Sequence, residues 1–302
     1  MAVFCAYMRL LMPLANGRDT TVSDPMVQTV SSNLDFLLPF RQCAPTMQKA
    51  METIYSEPRR LLTQAGLFNA IAFRAVFYGS EYATESLRFF DSLDEWTEYH
   101  ASVEQEKGTT DTAEYERQVR ERREAKARRK KGVPSEMSER QRRLRTGPTE
   151  RFFVNCQAYK TANVYRNTIY MNEYWDAALA LLRKIEDKPL ARDLHHFLCS
   201  KEFPNIGPLT ALLIIGDLVV AGAYPMPSAE EWGFLVASLK LGAERALLKL
   251  GIPSDSNPNA IQKAFVDLDR YMLKALTKEE HKAIKYNIIT LEHSLCKYQR
   301  VY

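Results

Sequence analysis

Asp217 interrupts the apolar run Leu209–Val220. A carboxylate in such a setting is costly unless it is paired or functional. It reads either as half of a structural salt bridge with Arg74 or Arg166, or as a working acid or base. Glu292 and His293 form the second candidate set. Neighbouring helical residues point about 100° apart, so these two act separately, and His293 reads equally as a satisfied helix residue. Arg74, inside the apolar stretch AIAFRAVFY, is either a snorkelling arginine at a helix edge or a phosphate contact. Other chemistries find no residues. No GxxxxGK[ST] loop exists, which excludes a P-loop phosphate cradle. Cys5, Cys43, Cys156, Cys199 and Cys296 make no CxxC pair and no metal-ligand spacing. His195 and His196 are adjacent and cannot share a metal as a helical pair at four-residue spacing would, so both read as structural.

The stretch that must position these groups is FPNIGPLTALLIIGDLVVAG, Phe203 to Gly222. Pro204, Asn205 and Gly207 predict a tight turn, with Gly207 supplying backbone freedom and Asn205 the best non-Gly tolerance of the left-handed region. Pro208 suits the first turn of the helix that follows. The run after it is too short for a bilayer, which needs roughly 20 apolar residues, so a buried helix and no membrane partner are expected. Backbone N–H groups at the start of such a helix form an anion site, and phosphate is the obvious anion.

The remaining chain reads as all-α. Residues 1–45 are punctuated by five residues, Pro13, Gly17, Pro25, Pro39 and Pro45, which suggests an irregular lead-in with one short helix near Met26–Leu38. Apolar residues at three- and four-residue spacing predict helices over Thr46–Tyr55 and Pro58–Tyr78, then one over Thr84–Tyr99. Phe152–Met171 is rich in aromatic and β-branched residues, so a short hairpin competes with helix there. Helices follow at Glu173–Ile185, Pro189–Ser200 and Ala229–Leu250, the last being long or bent at Gly242. Ser228 and Glu231 predict a capping box at its start. Asn259–Leu276 and Thr277–Arg300, capped by Thr277 with Glu280, close the chain.

The net charge of +4 hides a strong asymmetry. Thirteen Lys/Arg and five Asp/Glu lie between Glu116 and Arg145, so this segment carries +8 and the remainder −4. Residues 102–148 hold few large apolar side chains and read as a mobile, charged insertion within a domain spanning 46–302. Its KARRKK run, Lys126–Lys131, would serve as a nuclear address, a non-specific DNA arm or a plain solvated insert. Sparse cysteines argue for a reducing compartment, and the N-terminus lacks a basic region ahead of its apolar stretch, so secretion is not expected. The location would be nuclear in a eukaryote and cytoplasmic otherwise.

The hairpin stretch, through Phe203, Pro204, Ile206, Gly207, Thr210 and Ala211, resembles the helix-hairpin-helix of DNA glycosylase-like proteins, with Asn205 where Gly is usual. NIITLEHSLCKYQR is similar to the terminal signature of a narrower group, through Leu291, Glu292, His293, Leu295, Cys296, Lys297, Tyr298 and Arg300. That group comprises the α-glutamyl/putrescinyl thymine pyrophosphorylases and the 5-hydroxymethyluracil DNA kinase helical domain. Phe73, Arg74 and Phe77 resemble its Phe-Arg-x-Phe-Asn segment, Asp217 its acidic position, and Gly242, Ala243 and Leu247 its Gly-Ala-x-x-Gly-Leu element. The sequence departs from the pattern in lacking the Glu and Asp after the family Cys. It also lacks a clear match to the aspartate that glycosylases carry past the hairpin, where Glu230 or Glu231 is a stand-in.

The resemblance implies a glycosylase-like helical domain that grips one DNA strand at Asn205, Ile206, Gly207 and Thr210, with a monovalent cation at the hairpin. It implies chemistry on a flipped thymine-derived base, where an amine or amino acid replaces a pyrophosphate on the base methylene. Arg74, Lys160 and Arg166 would then hold the pyrophosphate, and Asp217, Glu292 or His293 would take the proton, with Glu231 nearby. A DNA-binding module without catalysis and a base glycosylase are the alternatives.

Overall fold

In the computed structural model, residues 1–17, 23–106, 167–253 and 255–302 are described, the side chains of 104–106 excepted. Lys160, Arg166, the KARRKK run and most of the expected insertion and Phe152–Met171 stretch lie outside them. The described residues are all-helical, with no strand among them. In order they form α1 (Ala2–Ala15), α2 (Pro25–Ser31), α3 (Leu34–Leu37), a 3-10 turn (Arg41–Cys43), α4 (Pro45–Thr53), α5 (Pro58–Leu61) and α6 (Gln64–Ala72). A π-helical turn (Phe73–Phe77), α7 (Glu81–Glu85) and α8 (Leu93–Glu106) follow. After a 3-10 turn (Thr168–Tyr170) come α9 (Met171–Glu186), α10 (Ala191–Leu198), α11 (Pro208–Val220), α12 (Ala229–Leu239) and α13 (Gly242–Lys249). The chain closes with α14 (Pro258–Ala275), α15 (Lys278–Ala283) and α16 (Ile288–Val301).

α11 is the hub. Every residue from Ala211 to Val219 is buried, as a helix apolar on all sides must be. It packs on α6, α10 and the π-helical turn, while α9 covers α6, α12 pairs with α14, and α13 with α16. One continuous apolar cluster runs from Phe4 to Tyr298, so hydrophobic burial joins the chain's two ends.

The first 45 residues differ from the expected irregular lead-in. α1 is fourteen residues long and buries Phe4, Tyr7, Met8 and Leu11. Pro13 stands in its last turn, and the Tyr7 ring meets Tyr298 edge-on at 5.1 Å. A proline so near the C-terminus leaves the preceding turns intact, which is why it did not break the helix.

Several long elements are instead pairs. The Pro58–Tyr78 segment divides at Leu62–Thr63, where Thr63 caps α6. The expected Thr84–Tyr99 helix divides because the Asn69 side chain holds both backbone groups of Phe90, at 2.9 Å from its N–H and 2.8 Å from its carbonyl. The 229–250 segment bends at Lys240, which sits at φ 50° just before Gly242. Thr277 and Glu280 do form a full capping box, but Lys285 at φ 50° ends that helix and Asn287 caps α16 afresh. At Ser228 only half a box exists. Its hydroxyl accepts from the Glu231 N–H at 3.1 Å, while the Glu231 carboxylate turns to the Ala191 N–H.

Candidate functional site

Between α10 and α11 the chain makes a tight, hydrogen-bonded turn. The Ile206 N–H donates to the Phe203 carbonyl at 3.1 Å and the Ala211 N–H to that of Gly207 at 3.0 Å. Asn205 carries the left-handed conformation, at φ 62°, whereas Gly207 is extended at φ −85° and ψ 169°. The conformational freedom expected of Gly207 is thus exercised by Asn205, the best non-Gly residue for it. Gly207 serves another purpose. It is the N-cap of α11 with no side chain bonded there, and a Cβ at this position would meet nothing within 4 Å. No side chain caps the N–H groups of the first turn, Leu209 and Thr210 among them, as the start of a helix otherwise requires.

Asn205 is exposed and Thr210 half-buried, while the Ile206 side chain is buried and anchors the turn. Ile206 is therefore a fold residue: its N–H is already used within the turn. On the flanks, Tyr174 Oη donates to the Pro204 carbonyl at 2.6 Å. His195 Nε2 lies 2.7 Å from the Pro208 carbonyl; because a carbonyl only accepts, that nitrogen carries the proton. His195 is held below the usual histidine range by burial, and it keeps the structural role expected of it. Lys201 and Glu202 bring opposite charges to the turn, and the start of α11 adds the positive end of its helix dipole.

Asp217, three turns along α11, is fully buried. Arg41 Nε and Nη2 approach Oδ1 at 3.1 and 2.5 Å, Arg74 Nη2 approaches it at 2.8 Å, and Arg74 Nε meets Oδ2. Tyr55 Oη donates to Oδ2 at 3.1 Å. Burial by itself would raise the Asp217 pKa, but Arg41 and Arg74 outweigh it and hold the carboxyl below its ordinary range. Both oxygens are occupied, which matches the salt-bridge reading of Asp217. Arg74 is neither a snorkelling edge residue nor open to an incoming phosphate: at 2 % exposure it is sealed against Asp217. Sequence reasoning missed Arg41 and Tyr55, whose only signal was their charge or hydroxyl in otherwise apolar surroundings. Gly216 makes space for Arg41, since a Cβ there would lie 3.0 Å from Arg41 Nη1.

Glu292 and His293 are buried on α16 and make no bond to each other. Glu292 Oε1 accepts from Cys296 Sγ at 3.0 Å, and burial raises its pKa. His293 Nε2 is buried without a hydrogen-bond partner. Burial, then Lys297, Arg41, Arg300 and Arg74, push its pKa well below the usual range. Cys296 is held well above the ordinary thiol range by burial and by Glu292, so it is not a nucleophile at neutral pH. Glu231 lies apart from all of these, capping α10. Among the described residues an open depression of about 400 Å³, lined by Cys43, Gln48, Lys282 and Lys285, reaches none of the candidate acids or bases. No group of three His, Cys, Asp or Glu among them is placed to share a metal.

Compared with protein-family models, curated proteins and solved structures, the chain has no significant match in any of the three.

Proposed function

We propose that the chain is a DNA-binding protein of the helix-hairpin-helix, glycosylase-like kind, which holds one strand by its phosphates through the turn at Asn205–Thr210. The observation that carries this reading is the uncapped start of α11 at Gly207, where a Cβ would meet no atom of the described residues within 4 Å. Phosphate fits such a place, because N–H groups and the helix dipole both favour an anion. Contacts of this kind position a strand without reading its bases. The cation that the resemblance implies would have the Asn205 and Ile206 carbonyls to sit against, since those of Phe203, Pro204, Gly207 and Pro208 already accept hydrogen bonds.

Binding without catalysis is favoured over base modification. Asp217 and Arg74 neutralise one another in the core, and Glu292 and His293 are enclosed. The second reading, replacement of a pyrophosphate on a 5-hydroxymethyluracil-derived base by an amine, keeps one supporting observation. Glu292, Cys296 and the orphan His293 nitrogen are clustered, strongly perturbed groups, and such groups concentrate at functional sites. A base glycosylase has no such support, since Glu231 is a cap. A nuclear address at Lys126–Lys131 would suit a DNA partner.

The deciding experiment is fluorescence anisotropy of labelled single- and double-stranded oligonucleotides with the full chain and Gly207→Leu. At φ −85° and with free space, leucine is accommodated, at an N-cap cost of about 1 kcal/mol. Its side chain fills the position a phosphate would take. Affinity should fall at least about tenfold for every sequence alike, with the fold intact by circular dichroism. Equal affinity for parent and variant would sink the hairpin reading. Nucleoside mass spectrometry of phosphorylated 5-hydroxymethyluracil DNA after incubation with an amine separates the second reading from the first.

A further inference from the structure

The π-helical turn Phe73–Phe77 touches the hairpin unit at both of its ends. At the deep end, Arg74 of this turn pairs with Asp217 of α11. At the tip, Asn167 bridges to the next residue of the same turn. Asn167 Nδ2 donates to the Ala75 carbonyl at 2.8 Å in a buried contact, and Asn205 Nδ2 donates to Asn167 Oδ1. The amide orientation is determined by chemistry: a carbonyl can only accept, so Asn167 must turn its NH₂ to Ala75 and its oxygen to Asn205. Tyr174 and His195 hold the carbonyls of Pro204 and Pro208 on either side. The tip of the turn is thereby held from behind, with Asn205 exposed.

We infer that Asn167 is a positioning residue for nucleic-acid binding, and that it aims the first-turn amides of Leu209 and Thr210 at a phosphodiester by tying Asn205 to the Ala75 carbonyl. This rests on the hairpin reading above. Asn205 sits at φ 62°, a conformation that asparagine tolerates best among non-Gly residues and that a tertiary contact can fix in one orientation. The Asn167 amide is the side-chain partner that does so. A π-helical turn is suited to the task because the wider winding leaves carbonyls such as that of Ala75 pointing away from the helical ladder, and such turns concentrate at functional sites.

The test is a double-mutant cycle with Asn167→Ala and Asn205→Gly, glycine being chosen because it keeps the left-handed backbone without strain. Anisotropy with a labelled single-stranded oligonucleotide is read together with hydrogen exchange of the free proteins. Each single variant should bind about tenfold more weakly, the size of one lost side-chain hydrogen bond. The double variant should bind no more weakly than the weaker single, because the Asn205–Asn167 bond is broken in all three. The salt dependence should match the parent's, since the number of phosphates engaged is unchanged. In the free Asn167→Ala protein the amides of 205–210 should exchange faster, with those of α12 and α14 unaltered. If the parent binds and the singles bind as it does, or their losses multiply, the positioning role is overturned and the hairpin reading survives. If the parent does not bind, both fall together, and the exchange result then shows whether the tie orders the turn at all.

Discussion

Arg74 on the π-helical turn and Asp217 on α11 are 143 residues apart in the chain and meet through Nε to Oδ2 and through Nη2 to Oδ1 at 2.8 Å. Arg41 closes on Asp217 from a third segment. A single buried carboxylate thus joins the N-terminal region, the first half of the core and α11. Two arginines share one carboxylate, so removing the acid would leave two buried cations facing each other.

Asp217→Ala should therefore lower stability by about 3–5 kcal/mol, the usual consequence of breaking a buried pair by deleting one partner. Arg74→Ala should cost a similar amount. Urea denaturation at neutral pH measures both, and a loss below about 1 kcal/mol for either would contradict the buried network.

His293 makes the folded protein acid-sensitive. The imidazole stays neutral in the native state, whereas the unfolded chain takes up a proton below the ordinary value of 6.5. Stability should accordingly fall as pH drops beneath 6.5, at up to about 1.4 kcal/mol per pH unit, one proton's worth. His293→Leu should flatten this limb. An unchanged slope in the variant would mean the proton enters elsewhere.

Glu292 acts in the opposite direction. Its folded pKa is raised, so the unfolded chain ionises above 4.5 while the native carboxyl keeps its proton. Stability is lost as pH rises from 4.5 towards the native value. Glu292→Gln should remove that loss and show no decline over the same range in thermal melts across a pH series. A steeper decline in the variant would rule out a protonated Glu292.

Gly207→Asp should separate stability from binding. Aspartate is a preferred N-cap and would gain a few tenths of a kcal/mol over glycine. Its carboxylate would occupy the N–H groups a phosphate needs and repel the strand. A higher melting temperature together with weaker oligonucleotide binding is the expected pair of results. Stronger binding would refute the phosphate site.

Gly242 lets α13 approach α16 closely. A Cβ there would lie 3.0 Å from Cys296 Sγ and 3.3 Å from its Cα, so Gly242→Ala should cost about 1–3 kcal/mol through overpacking. Gly207→Ala, where a Cβ meets nothing, is the comparison variant and should lose only the N-cap preference for glycine, at most about 1 kcal/mol. Similar stability for the two variants by urea denaturation would argue against this packing.

The helical class, the hub helix after Gly207 and the proline at its first turn were all legible in the chain, because they depend on local periodicity and on backbone rules that act within a few residues. So was the dilemma posed by Asp217, since a carboxylate among leucines and isoleucines announces its cost wherever it falls. Tertiary structure decided how the dilemma is resolved. Arg41 stands in a segment that reads as irregular, Arg74 in one that reads as a helix edge, and neither carries a periodic signal directing it to residue 217. The breaks at Lys240 and Lys285 were likewise invisible, because left-handed lysines are imposed by packing and not by propensity. Asn205 lies between the two cases: its residue type declares a turn, but only the approach of Asn167 and the Ala75 carbonyl sets where that turn points.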